Sequence, residues 1–168
     1  MKRGVNNSHD SRRFYDWLSK ATEDLLAATL LMEDERTAKQ AVFHCQQCIE
    51  KGLKGYILLK SGNLVDGHNL TWLCRHAAKM DGEFMQWVDE SIVLNRYYIE
   101  TRYPTDAEFK LSTAAAQKAF QMAKDMYDFL CEQIEDEYHD KLRAMRDTPQ
   151  TGAERANVEK TLEEADAV

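Results

Sequence analysis

The residues best suited to chemistry are gathered between Phe43 and Tyr56, in the stretch FHCQQCIEKGLKGY. At roughly 100° of turn per residue, Gln40, His44, Gln47, Lys51 and Lys54 share one edge of a helix. They form a run of amides, an imidazole and two ammonium groups spaced 4, 3, 4 and 3. Ala38, Ala41, Cys45, Cys48, Ile49, Gly52, Leu53 and Tyr56 share the other side. The small and apolar side must meet a core, and the polar stripe is predicted to face water. There it either stays solvated, as the outer face of any surface helix does, or holds a ligand through hydrogen bonds and charge.

A second stretch with chemical potential is Asn95 to Pro104, NRYYIETRYP. Two arginines among three tyrosines can grip phosphate and stack on a base. The same groups can instead close one end of a helical bundle through hydrogen bonds and cation–π contacts. The candidate ligand-binding residues are therefore His44, Gln47, Lys51, Lys54, Arg96, Tyr97 and Arg102.

Cys45-x-x-Cys48 has the spacing of half a zinc site, with His44, His68, Cys74 and His76 as further ligand types. Both thiols fall on the predicted core side of a helix, where cysteine behaves as a small hydrophobe. His68 and His76 stand alone in the sequence, without a placed partner. No phosphate-binding G-x-x-x-x-G-K-[ST] loop, G-x-S-x-G elbow or H-E-x-x-H helix is present. No catalytic residue, metal or cofactor is expected.

The elements that position these residues follow from periodicity. Phe14, Trp17, Leu18, Ala21, Leu25, Ala28 and Met32 recur every three or four positions and predict a first helix over Ser11 to Met32. Thr37-Ala38-Lys39-Gln40 reads as a capping box opening a second helix, which ends near Lys60 at Ser61-Gly62-Asn63. Asp66 or Asn69 can cap a third, Leu70 to Lys79. A fourth is predicted over Glu83 to Tyr98, and Tyr103-Pro104 enforces an extended step after it. Thr105-Asp106-Ala107-Glu108 is another capping box, opening a fifth helix to about Arg146 that would be roughly 60 Å long. Leu111, Ala115, Ala119, Met122, Met126, Leu130, Ile134 and Tyr138 form its predicted apolar stripe.

Helices of this kind joined by short connections predict an all-α, antiparallel up-and-down bundle of four to five helices with a long C-terminal helix. The expected organisation is a mobile leader at 1–10, the bundle at 11–147 and a polar acidic tail at 148–168. The chain has 168 residues, enough for one domain with a sizeable core, and only two prolines and seven glycines. Its net charge of −7 argues against a surface that binds nucleic acid all over, while a local basic patch is compatible with it. No signal-peptide pattern or membrane-length apolar run is found. A cytoplasmic protein with reduced thiols is therefore expected.

Taken in order, FHCQQCIEKGLKGY, then GHNL, then RYYIETRYP resemble the HEPN family, the higher eukaryotes and prokaryotes nucleotide-binding domain. Its members carry an H-x-Q-Q-x-x-E-K-x-L-K helix, an H-[DN]-L turn and a Y-I-x-T-R-Y-P segment. The resemblance covers about Phe14 to Phe129. It implies a four- to five-helix bundle, frequently a homodimer, and for many relatives pairing with a minimal nucleotidyltransferase as toxin and antitoxin. Catalytic members use R-x(4 to 6)-H to cut RNA. Neither Arg96 nor Arg102 is followed by a histidine at that spacing, and the nearest formal match, Arg3 to His9, lies in the leader. The expectation is therefore a module that binds nucleotide, RNA or a nucleotidyltransferase partner. The alternatives are a metal-independent ribonuclease with a non-standard site and a structural dimer subunit.

Overall fold

The computed structural model describes residues 10–100 and 110–147. They form five α-helices: α1 (Phe14–Leu31), α2 (Ala38–Ser61), α3 (Leu70–Ala78), α4 (Val88–Glu100) and α5 (Thr113–Asp147). Short 3-10 turns lie at Glu35–Thr37 and Gly82–Trp87. The all-α bundle with a long C-terminal helix is the predicted fold class. The expected leader and tail, the Thr105 capping box and Arg102 lie outside the described residues.

The second helix is the axis of the bundle. Buried positions run along α2 from Ala38 to Leu58, because α1 and α5 pack against its length and α3 and α4 close on the remaining side. Two glycines allow the close approaches. A Cβ on Gly52 would stand 2.9 Å from Leu130 Cδ1 of α5, and one on Gly55 would stand 3.3 Å from Phe14 O and from Trp17 Cβ of α1. α1 is antiparallel to α2, with Trp17 beside Gly55 and Asp24 beside His44. α5 runs beside α2 in the same direction, since Leu130 meets Gly52 and Lys60 bonds Glu137 farther along both helices.

The α2–α3 connection is a return segment rather than a tight turn. Gly62 ends α2 in the left-handed conformation, with φ 73° and its N–H bonded to Leu58 O. Residues 63–69 then climb back along α2 without regular structure, turning at Gly67 where φ is 97°. This delivers His68 to the level of Gln46 and Glu50. Asn69 caps α3 by accepting from Trp72 N at 2.9 Å. α4 is antiparallel to α3, and Asn95 Oδ1 accepts from Leu70 N at 2.8 Å.

Three local expectations are corrected. Thr37 makes no side-chain cap; its hydroxyl donates to Leu31 O and Asp34 O and locks the α1–α2 corner instead. The helix predicted from Glu83 begins only at Val88. Asp81 caps a 3-10 turn that drives Phe84 into the core against Tyr56 and Phe129. α5 begins at Thr113, where Ser112 Oγ accepts from Ala115 N. Its buried line starts with Ala116, Ala119 and Ala123 rather than Ala115 and Met122.

Candidate functional site

Two polar clusters grow from α2, one on each edge. On the α1 edge, Asp24 takes a position in the otherwise apolar line of Ala21 and Ala28, and it is buried. It accepts from His44 Nδ1 at 2.8 Å and from Lys51 Nζ. One carboxylate thus holds both chemically promising side chains against α1. The neighbouring groove, about 530 Å³ and lined in part by Arg13, Asp16, Lys20, Glu23 and Lys51, is neutralised in the same way. Arg13 pairs with Asp16, Lys20 with Glu23, and Lys51 with Asp24.

On the α3 edge, Gln46, Glu50 and Lys54 follow one another four residues apart and are all buried. Lys54 Nζ donates to Glu50 Oε1 at 2.9 Å, Gln46 Nε2 donates to Oε2 at 3.2 Å, and His68 Nδ1 lies 2.9 Å from Oε1. An ionised carboxylate only accepts, so Nδ1 of His68 carries the proton and Nε2 is the nitrogen left for a ligand. Gln46 also donates to His68 O at 3.3 Å and accepts from Gln47 Nε2 at 2.7 Å. Both backbone and ring of His68 are therefore fixed from α2.

The His68 ring is also set in plane. It stacks on Tyr98 of α4 with centroids 5.1 Å apart and planes 13° apart, yet its side chain stays 56% exposed. A buried carboxylate, an oriented imidazole and an open aromatic stack are thereby assembled from α2, α4 and the return segment. This arrangement can accept or donate a proton at Nε2 and can offer a flat surface to another ring.

The structure redistributes the predicted site residues. Lys54 corrects the water-facing stripe: only 6% exposed, it is held by Glu50 and lies 5.5 Å from the centroid of the Trp17 ring. His44 and Lys51 are half-buried against Asp24, and Gln47 braces Gln46. Arg96 is exposed and Tyr97 half-buried on the final turns of α4, the helix that carries Tyr98. The sequence reading did not notice Asp24, named Tyr98 for chemistry only as one of three tyrosines in NRYYIETRYP and Gln46 and Glu50 only within the HEPN-like motif, and left His68 without a partner. The i, i+4 run of Gln46, Glu50 and Lys54 beside the core line was the signal available for Gln46 and Glu50.

The cysteines play no part in this constellation. Cys45, Cys48 and Cys74 are buried and unbridged, and Cys131 is partly buried. Burial pushes the Cys45 thiol up to about 12 and the Cys74 thiol up to about 11, far from the thiolate a metal site or nucleophile requires. Among the described residues no group of three or more His, Cys, Asp or Glu is arranged to hold a metal ion. No helix there is long and apolar enough to cross a membrane.

Fold and site together define a helical-bundle module with a histidine anchored to a carboxylate midway along its central helix. The sequence model of the HEPN domain matches residues 14–134, and the chain belongs to the HEPN family. Its fold is similar to the crystal structure of an archaeal HEPN homologue, with a TM-score of 0.59 at 22% identity over 73% of this chain and 98% of that one. No curated protein matches the chain significantly.

Proposed function

We propose that this chain is a HEPN-type module that binds a nucleotide-containing ligand at the His68–Tyr98 face of the bundle. The observation that carries the reading is the His68–Tyr98 stack: a ring pair anchored to buried Glu50 yet exposed to solvent. A base can extend such a stack, and Nε2 offers a hydrogen bond beside it. Lys54 supports the site from within, through Glu50, rather than by touching ligand, and Lys51 is held by Asp24 on the other edge of α2. Calorimetric titration with adenosine and guanosine mono- and triphosphates tests this. Binding that His68→Ala or Tyr98→Ala weakens at least tenfold, without loss of fold, supports it. No heat and no thermal stabilisation at millimolar nucleotide refutes it.

The alternative favoured by a specific observation is metal-independent RNA cleavage. Glu50 holds His68 in the tautomer whose free nitrogen can take a proton from a ribose 2′-hydroxyl. Cleavage that persists in excess chelator and disappears in a well-folded His68→Ala variant would establish it, and intact RNA under those conditions retires it. A minimal nucleotidyltransferase partner, pairing as toxin and antitoxin, and homodimer formation belong to the same proposal, on the support of family membership. Co-purification with the product of the adjacent gene tests the first two.

A further inference from the structure

The outer face of α3 is basic in an acidic protein. From Gly67 to Met80 there is no acidic residue, in a chain with 29 of them, while His68, Arg75, His76 and Lys79 all fall within those fourteen positions. Leu70, Leu73, Cys74 and Ala77 bury the inner face of α3, against α2, α4 and the Gly82–Trp87 turn. Trp72, Arg75, His76 and Lys79, at i, i+3, i+4 and i+7, lie opposite. Trp72 is 49% exposed, and His76 stacks on it with centroids 5.0 Å apart and planes 18° apart. Arg75 and Lys79 are exposed and make no ion pair among the described residues. A half-exposed tryptophan beside an unpaired arginine has the composition of a binding hot spot, and the cations select an acidic occupant.

An acidic stretch of matching pattern is present in the same sequence. Residues 148–168 hold five acidic side chains against two basic ones. Glu159 and Glu163 are four apart, as Arg75 and Lys79 are, and Leu162 falls between them. The stretch also starts from the right side of the molecule. α5 touches the turn that follows α3, where Gln133 Nε2 donates to Glu83 Oε2 at 3.3 Å, and from Gln133 to Asp147 the helix continues about 21 Å. The fifteen residues 148–162 span up to about 50 Å, more than twice the way back. Because both parts belong to one chain, they meet at an effective concentration on the order of millimolar, so contacts too weak to hold a free peptide suffice.

We infer that the acidic segment 158–166 docks on the outer face of α3 in the same molecule, with its carboxylates beside Arg75 and Lys79 and Leu162 against the open part of the Trp72 ring. Docked there, it covers the exposed indole and neutralises the basic face. Any other acidic partner of α3 then has to displace it. The inference does not depend on the nucleotide-binding reading.

The test uses the full chain labelled with 5-fluorotryptophan, in which the fluorine resonance of Trp72 is assigned by its loss in Trp72→Phe. Raising the salt concentration should shift that resonance, because exposed charge pairs are screened. Glu159→Lys with Glu163→Lys should move it to its high-salt position and abolish the salt response. Adding Arg75→Glu and Lys79→Glu to those two substitutions should restore both the original position and the salt response. Arg75 and Lys79 are exposed, and the Trp17 and Trp87 resonances report in each variant that the bundle is intact. A Trp72 resonance indifferent to the charge of segment 158–166, or a charge-swapped chain that does not regain the original state, overturns the inference. So does a shift that grows with protein concentration, which assigns the acidic segment to a second copy. None of these results touches the proposed function.

Discussion

Glu50 concentrates the energetic risk of the site. It is 4% exposed and is surrounded by Lys54, His68 and Gln46. Removing one member of a buried pair leaves the other charge without compensation, so Lys54→Ala is expected to cost about 3 kcal/mol in denaturant melts. The double replacement Lys54→Met with Glu50→Leu should recover much of that stability while releasing His68, because no charge is then stranded. The thiols add a second expectation at this scale. In the unfolded chain they ionise near the usual 9.0, whereas the folded chain keeps Cys45 protonated to about 12 and Cys74 to about 11. Above pH 9 the unfolded state therefore binds fewer protons, and stability must fall as pH rises, by up to about 1.4 kcal/mol per pH unit for each such thiol. Melts between pH 8 and 10.5 should show that decline, and replacing Cys45 with Ala should make it shallower. At the residue scale the sequence was only half legible. Periodicity says which residues share an edge of α2, but it does not reveal that α1 and α3 cover both polar edges, so Lys54 read as exposed and Asp24 went unnoticed.

Among the elements, the crossing of α1 over α2 is set by an absence. Gly55 lies under the Phe14 carbonyl and the Trp17 Cβ, both of which belong to the body of α1 rather than to a flexible side-chain tip. Gly55→Leu must push the helices apart and is expected to cost about 2 to 3 kcal/mol. Gly55→Ala should be close to neutral, because better helix propensity, worth about 1 kcal/mol, offsets tight contact. Urea melts of the two variants distinguish this from a purely local helix effect, which would make both stabilising. Helix existence was plain in the sequence because heptad-like apolar spacing survives in α1, α2 and α5. Helix starts were not, since Thr37 and Glu83 carry good starting chemistry yet are claimed by a corner and by the 3-10 turn that inserts Phe84. The α3 cap was half legible: of the two candidates, Asp66 and Asn69, it is Asn69 that accepts from Trp72 N.

For the molecule as a whole, α5 is the disproportionate part. Its 35 residues extend about 52 Å, against about 27 Å for the 18 residues of α1. The last turns, from His139 to Met145, are mostly exposed. Leu26 and Leu30, one turn apart on α1, also show their side chains to solvent. Twofold association would cover such surfaces, and light scattering at micromolar concentration is expected to return twice the 19.5 kDa chain mass. Leu26→Glu with Leu30→Glu should shift it to monomer if that face is used, and a monomeric wild type excludes the dimer. The return segment carries a different consequence. From Ser61 back to the level of Glu50 or Gln46 is about 17 to 23 Å along the helix, and the seven residues 62–68 reach no more than about 23 to 25 Å. Reaching the Gln46 level takes nearly all of that length, so the segment's length is constrained more tightly than its composition. Deleting two residues between 62 and 68 should therefore pull His68 off Glu50 and the Tyr98 ring, whereas an insertion there should be tolerated.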